Sequence, residues 1–188
     1  MSDHLISALP EARAEGFVQI AEAGLQGMIT LRGDLASAAV AMAVQSVTEC
    51  ALPEARRITG SGKASVAWMS PDELLILCPH EAAAEIEAAL RTALSSEFAT
   101  VATVSDARAV FSVTGPAWRD ALAKLCPVDF STLAPGDIRR TRAAQVAAAI
   151  LVTGPEEARV ICFRSVAQYM FDLLAQAAST GSEPALYS

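Results

Sequence analysis

Two kinds of apolar pattern alternate along the chain. Short runs with a period of two read as strands, and longer runs with apolar positions three and four apart read as helices. Phe17, Val18 and Ile20 begin a strand, 24–27 make a turn, and Met28, Ile29 and Leu31 form the expected hairpin partner. Gly33-Asp34 ends that strand and caps a helix over 35–49. This helix carries one apolar row at Leu35, Ala39 and Met42 and another at Val40, Val44 and Val47. A helix apolar nearly all round is buried or lies against another subunit. Residues 53–63 form a polar connection. Val66, Trp68 and Met69 are a strand, Ser70-Pro71-Asp72-Glu73 a turn, and 74–77 the returning strand. A helix over 81–94 follows, with Ile86, Ala89, Leu90, Ala93 and Leu94 on one face.

The order then begins again: a strand at 101–104, a turn at Ser105-Asp106, and an alternating strand carrying Ala109, Phe111 and Val113. Next comes a helix over 116–126, with Gly115 read as its N-cap and Pro116 as its first residue, ended by Cys126-Pro127. A connection over 127–143, strands at 146–152 and 160–163 around the turn Gly154-Pro155-Glu156-Glu157, and a helix over 165–178 complete the series. Ser165 and Gln168 have the spacing of a capping box for that last helix. Gly33 and Gly115 lie 82 residues apart, and Pro71 and Pro155 lie 84 apart. A near-constant period with the same element order is the mark of duplication. The fold class expected is α+β, two ββαββα halves of mostly antiparallel sheet backed by helices. A disordered lead over 1–16, a first half over 17–97, a second over 98–178 packed with the first as one domain, and a mobile tail over 179–188 complete the expectation. The tail would be fixed only if Leu186-Tyr187 docks.

Composition narrows the function classes. A net charge of −7 at pH 7 disfavours nucleic acid and anionic membrane surfaces, which need a basic partner. No apolar run reaches the roughly 18 residues of a membrane helix. The first sixteen residues lack the basic start and apolar block of a signal peptide. The apolar share of 53% exceeds what a soluble monomer usually carries, even after discounting its alanines, and so points to a covering partner. Cys50, Cys78, Cys126 and Cys162 are widely spaced, with no C-x-x-C pair, the pattern of buried thiols in a reducing cytoplasm.

No residue set supplies nucleophile, base and orienter together. Gly60-Ser61-Gly62-Lys63 resembles a phosphate loop, but Ala64 stands where a hydroxyl is needed, and a strand follows where a helix should. His80 and Cys78 flank Pro79 at a corner, and the chain has no asparagine to orient an imidazole. Asp72, Glu73, Glu156 and Glu157 sit in matching turns, where solvated carboxylates are ordinary. Arg139, Arg140 and Arg142 are the basic cluster of an acidic chain. Guanidinium forks grip carboxylates and phosphates, so these three and Arg164 are the candidate partner or ligand contacts, with surface salt bridges the ordinary alternative. Trp68 and Trp118 fit the core pattern.

Ser105, Thr114-Gly115-Pro116 and Val128-Asp129 resemble the folate-binding aminomethyltransferases, the glycine-cleavage T-protein and its relatives. Within that superfamily, Trp68-Met69-Ser70-Pro71-Asp72-Glu73 and the run from Cys162 to Tyr169 look like the gamma-subunit family of heterotetrameric sarcosine oxidases, over about 27–174. The resemblance implies the T-protein folate-domain fold and a cytoplasmic complex of alpha, beta, gamma and delta subunits. Such a complex demethylates sarcosine to glycine, makes hydrogen peroxide and passes a one-carbon unit to tetrahydrofolate. It further implies FAD, FMN, NAD and zinc in the other subunits and none here, a direct contact with alpha, and no catalytic residue in this chain. The aminomethyltransferase C-terminal half and the Lys-Gly-Cys string of the iron-sulfur assembly relatives are missing. The alternatives are a stand-alone folate or pterin-binding module and an aminomethyl-transferring enzyme.

Overall fold

The computed structural model describes residues 5–187, which divide into two compact units. A first unit spans Leu25–Ser105, and a second combines the chain up to Gly24 with everything from Asp106 onward.

The chain opens with β1 (Arg13–Glu15) and β2 (Gln19–Glu22), both in the second unit. The first unit then holds β3 (Gly27–Arg32), helix α1 (Ala38–Thr48), β4 (Ile58–Gly60), β5 (Ser65–Ser70), β6 (Glu73–Cys78), helix α2 (Ala83–Ala93) and β7 (Thr100–Thr103). Its antiparallel sheet runs β4-β5-β6-β3-β7. All six residues of the central β6 are buried. Ile29, Leu31, Val66, Leu74 and Ile76 form a core with Val40 and Val44 of α1 and Leu90 of α2. Helix α1 is capped by Ser37, whose Oγ accepts from the Ala39 N–H, and not by Asp34. The Asp34 carboxylate instead accepts from the Ala36 N–H in the preceding turn. Helix α1 ends at Glu49 in the left-handed region.

The second unit continues with β8 (Arg108–Thr114), helix α3 (Trp118–Ala123), β9 (Ile138–Ala143), β10 (Val146–Gly154), β11 (Glu157–Phe163) and helix α4 (Ala167–Ala177). Its sheet order is β1-β2-β8-β11-β10-β9. Apart from the added edge strand β1, this order repeats that of the first unit, with β2 in the place of β7. The first strand of each half is therefore built into the sheet of the other half. Gln19 to Glu22 pair with Thr114 to Phe111, and Thr100 to Thr103 pair with Arg32 to Ile29.

This corrects the expected hairpin between 17–20 and 28–31, and it moves the boundary from 97 to 105 with the opening strand exchanged. A period of two identifies a strand but carries no information about its partner. Between β2 and β3 the chain changes sheets: Ala23 N–H donates to Val110 O, and Gln26 Nε2 donates to Cys78 O. Part of the expected lead is ordered as β1, while Met1 to His4 lie outside the described residues. The expected connections over 53–63 and 127–143 contain strands β4 and β9. Three arginines hid the alternation of β9, as polar edge strands do. Ser165 makes no cap bond, since α4 is entered through a 3-10 turn, and Gln168 Nε2 donates to Asp172 instead. Gly115 is no N-cap either: Ala117 holds that place. Gly115 adopts φ +135°, a left-side conformation that favours glycine, with Val18 packed where a Cβ would point.

The core of the second unit centres on Trp118, which is 0% exposed. Its Nε1 donates to Pro155 O at 3.0 Å, the Phe130 ring meets it edge-on at 5.9 Å, and the Arg119 guanidinium lies 4.4 Å over its ring. Trp68, in contrast, is only half-buried. Asp120 is buried, and its carboxylate accepts from the backbone N–H groups of Leu186 (2.8 Å) and Tyr187 (3.3 Å). The Tyr187 ring packs edge-on against Phe130. The tail expected to be mobile is thus docked at its end, because a buried carboxylate needs donors and these backbone groups supply them.

All four cysteines are buried and unpaired by disulfides. Burial pushes the Cys126 thiol up to about 12 and the Cys162 thiol up to about 11, and burial with the nearby Glu81 charge raises Cys78. Cys78, Cys126 and Cys162 are core packing and stay protonated at neutral pH.

Three expected outcomes follow. Trp118→Ala lowers stability by about 3–5 kcal/mol in urea titration, the cost of emptying a large buried site. Removing 186–188 leaves the Asp120 carboxylate without its tail donors and costs about 1–3 kcal/mol in the same measurement. A thiol reagent at pH 8 labels Cys126 and Cys162 only at the global unfolding rate. Because their folded values lie above the ordinary one, their contribution to stability is complete below pH 9 and lost as pH rises toward 12.

Candidate functional site

The arginine cluster sits on β9, at one edge of the second unit's sheet. Register separates its members. Arg139 pairs with Ile150, a core residue, and so points to the helix-covered side. Arg140 pairs with Ala149 and Arg142 with Ala147, which places both on the opposite face, where both are exposed. On that face Ala149 neighbours Ile161 of β11, and Phe163 stands two residues further along the same strand. Phe163 pairs with Arg108 of β8, whose guanidinium lies 5.6 Å from the ring centroid. Arg159, joined to Glu157 at 3.4 Å, shares this side of β11.

The middle of this side of the sheet is buried, Ile161, Val110 and Ala149 included; at its margin Arg140, Arg142 and a Phe163 ring that is 53% exposed reach solvent, with Arg108 and Arg159 half-buried beside them. In a chain of net charge −7 that margin is locally rich in arginine beside an exposed aromatic ring. The chemistry open to it is the gripping of carboxylates by guanidinium groups beside an apolar contact. Arg108, Arg159 and Phe163 were missed in the sequence. Their signal was the alternation Arg159, Ile161, Phe163, which reads as a strand face but does not say which other strands share it.

Arg164 does not join this group. Its guanidinium donates to the carbonyls of Ile6 and Ser7, both at 3.0 Å, and so ties the N-terminal segment to the start of the last helix. The remaining candidates are likewise occupied by the fold. Lys63 pairs with Glu49 at 2.6 Å, and the glycine loop joins two strands of a hairpin, with no helix N-terminus to cradle a phosphate. The Cys78 thiol is buried, and burial and the Glu81 charge hold it protonated. Glu73, read as a solvated turn residue, is instead buried, accepting from Thr30 Oγ1 at 3.0 Å and from Arg32 at 2.9 Å. Among the described residues no three His, Cys, Asp or Glu side chains converge as a metal site, and no helix is long and apolar enough to cross a membrane.

Residues 32–181 match the sarcosine oxidase, gamma subunit family. Over 136 residues the chain is 30% identical to a sarcosine oxidase subunit gamma from Corynebacterium sp. (strain P-1), covering 72% of this chain and 66% of that relative's length. Among solved structures it is similar to the heterotetrameric sarcosine oxidase from Corynebacterium sp. U-96 in complex with pyrrole 2-carboxylate. There the TM-score is 0.78 with 24% identity, over 88% of this chain and 87% of that one. It is also similar to the glycine cleavage system aminomethyltransferase T from Bartonella henselae, with a TM-score of 0.63, 12% identity and coverage of 85% and 46%. The α+β fold expected from the T-protein resemblance is the fold found. Matched over most of its length, the chain belongs to the sarcosine oxidase gamma subunit family.

Proposed function

We propose that this chain is a non-catalytic structural subunit of a cytoplasmic heterotetrameric sarcosine oxidase. In this reading the complex demethylates sarcosine oxidatively to glycine, producing hydrogen peroxide and passing the one-carbon unit to tetrahydrofolate. FAD, FMN, NAD and zinc reside in the alpha, beta and delta subunits, and this chain docks on alpha. The observation that carries the reading is the family match over 32–181. It is supported by the way the fold consumes reactive groups: the thiols are raised by burial, Arg164 binds backbone, and Asp120 and Glu73 are satisfied internally.

The contact assigned to this chain is the arginine-rich margin of the second unit's sheet. Arg140 and Arg142 with Phe163 take an acidic segment of alpha, the guanidinium groups setting orientation and rate of encounter while the ring supplies apolar contact. Arg139 lies on the other side of the strand and takes no part in this contact.

Co-expression with the other three subunits is expected to yield one complex that contains this chain, while the chain purified alone oxidises no sarcosine. A chain that stays apart from the others, or turns over sarcosine unaided, would overturn the reading. In the assembled system, Arg140→Gln with Arg142→Gln is expected to weaken association about tenfold at low salt, with the difference shrinking as ionic strength rises. Surface plasmon resonance against alpha at two salt concentrations measures this.

A further inference from the structure

The duplication allows one half of the chain to be compared with the other. Gln19 is paired with Thr114, just before Gly115, and Thr100 with Arg32, just before Gly33. Phe17 and Phe98, each two residues ahead of those positions, therefore occupy equivalent places in the two sheets. Their surroundings differ. The Phe17 ring is half-buried against the core of the second unit, and the Lys124 ammonium lies over it, 5.0 Å from the centroid. Phe98 is 103% exposed.

Beside Phe98 lies a cavity of about 420 Å³ lined by Arg32, Asp34, Asp72, Glu97 and Thr100. The Arg32 guanidinium is directed to Glu73 at 2.9 Å and Asp72 at 3.8 Å, so the groove keeps a surplus of carboxylate. An open aromatic face bordered by carboxylates attracts a cation twice, through the ring quadrupole and through charge. A wholly bare phenylalanine at the rim of a groove also has the character of an interface anchor.

We propose that the Phe98 groove is a docking site for a lysine or arginine side chain carried on a segment of a partner chain. That side chain would cover Phe98 from outside as Lys124 covers Phe17 from within. Its charge is opposite in sign to that of the arginine-rich sheet margin of the second unit, so this chain holds an acidic segment with one patch and a basic one with the other. The inference rests on the subunit reading above.

The test is binding of the full chain to the complex of the other subunits purified without it. Phe98→Ser is expected to weaken binding at least about tenfold, and Glu97→Lys with Asp34→Lys to weaken it further. Met42→Ser, at an exposed apolar position on α1, is expected to leave it unchanged. Circular dichroism and melting temperature of the Phe98→Ser chain should match wild type, as the ring packs on nothing. If they do not, the charge-reversed variant decides. Wild-type binding with equal binding by Phe98→Ser overturns this inference and leaves the subunit reading intact, whereas a wild-type chain that does not bind overturns both. A self-associated chain that Phe98→Ser makes monomeric also overturns it, because the occupant is then a second copy.

Discussion

The exchange of opening strands is the constraint from which the rest of the structure follows. β2 leaves the first half to extend the second half's sheet beside β8, and β7 leaves the second half to complete the first half's sheet beside β3. Neither sheet is finished by its own half. Pairing Gln19 with Thr114 closes a loop of most of a hundred residues, and such closure costs entropy before the contacts return any stability. The exchange thereby couples the two halves through backbone hydrogen bonds, which are directional and intolerant of slippage, as well as through apolar burial. It also explains why the turns at the crossing points are populated by small residues and by side chains bonded to backbone, such as Glu22 to the Gly24 N–H and Ser105 Oγ to the Met28 N–H.

Groups with reactive potential are used to hold this architecture. A carboxylate buried in the second unit is satisfied by the backbone of the tail, one in the first unit by a threonine and an arginine, and Arg164 fastens the segment leading to β1. Buried polar groups are costly when unpaired, so each of these is a point where the fold is specified rather than merely stabilised. At the surface stand an arginine-rich sheet margin beside Phe163 in one unit and a carboxylate-lined groove beside Phe98 in the other. The two patches differ in sign, and in general charge discriminates between partners while apolar contact holds them.

The duplication adds a lesson about divergence. The two sheets keep the same order and the two closing helices are both entered through a 3-10 turn, at His80–Ala82 and Arg164–Val166. The helices that follow β3 and β8 have diverged, α1 being eleven residues and apolar on two rows, α3 being six and anchored by one tryptophan. Equivalent phenylalanines ended in different environments. Duplicate frameworks preserve backbone pairing because every ladder bond depends on its neighbours, while side chains at the rims are free to take new roles.

From the sequence alone, the α+β class, the doubled element order, the two hairpins around Pro71 and Pro155, the buried thiols and the family resemblance were all legible. Each is a local or compositional property: alternation, turn chemistry, spacing, a motif string. The partner of each opening strand, the existence of β9 beneath its three arginines, the side of the sheet on which each arginine lies, the docking of Tyr187 and the burial of Glu73 were decided only by tertiary structure. Those depend on which strands become neighbours. A pattern of period two records that a strand has two faces and leaves open what either face will meet.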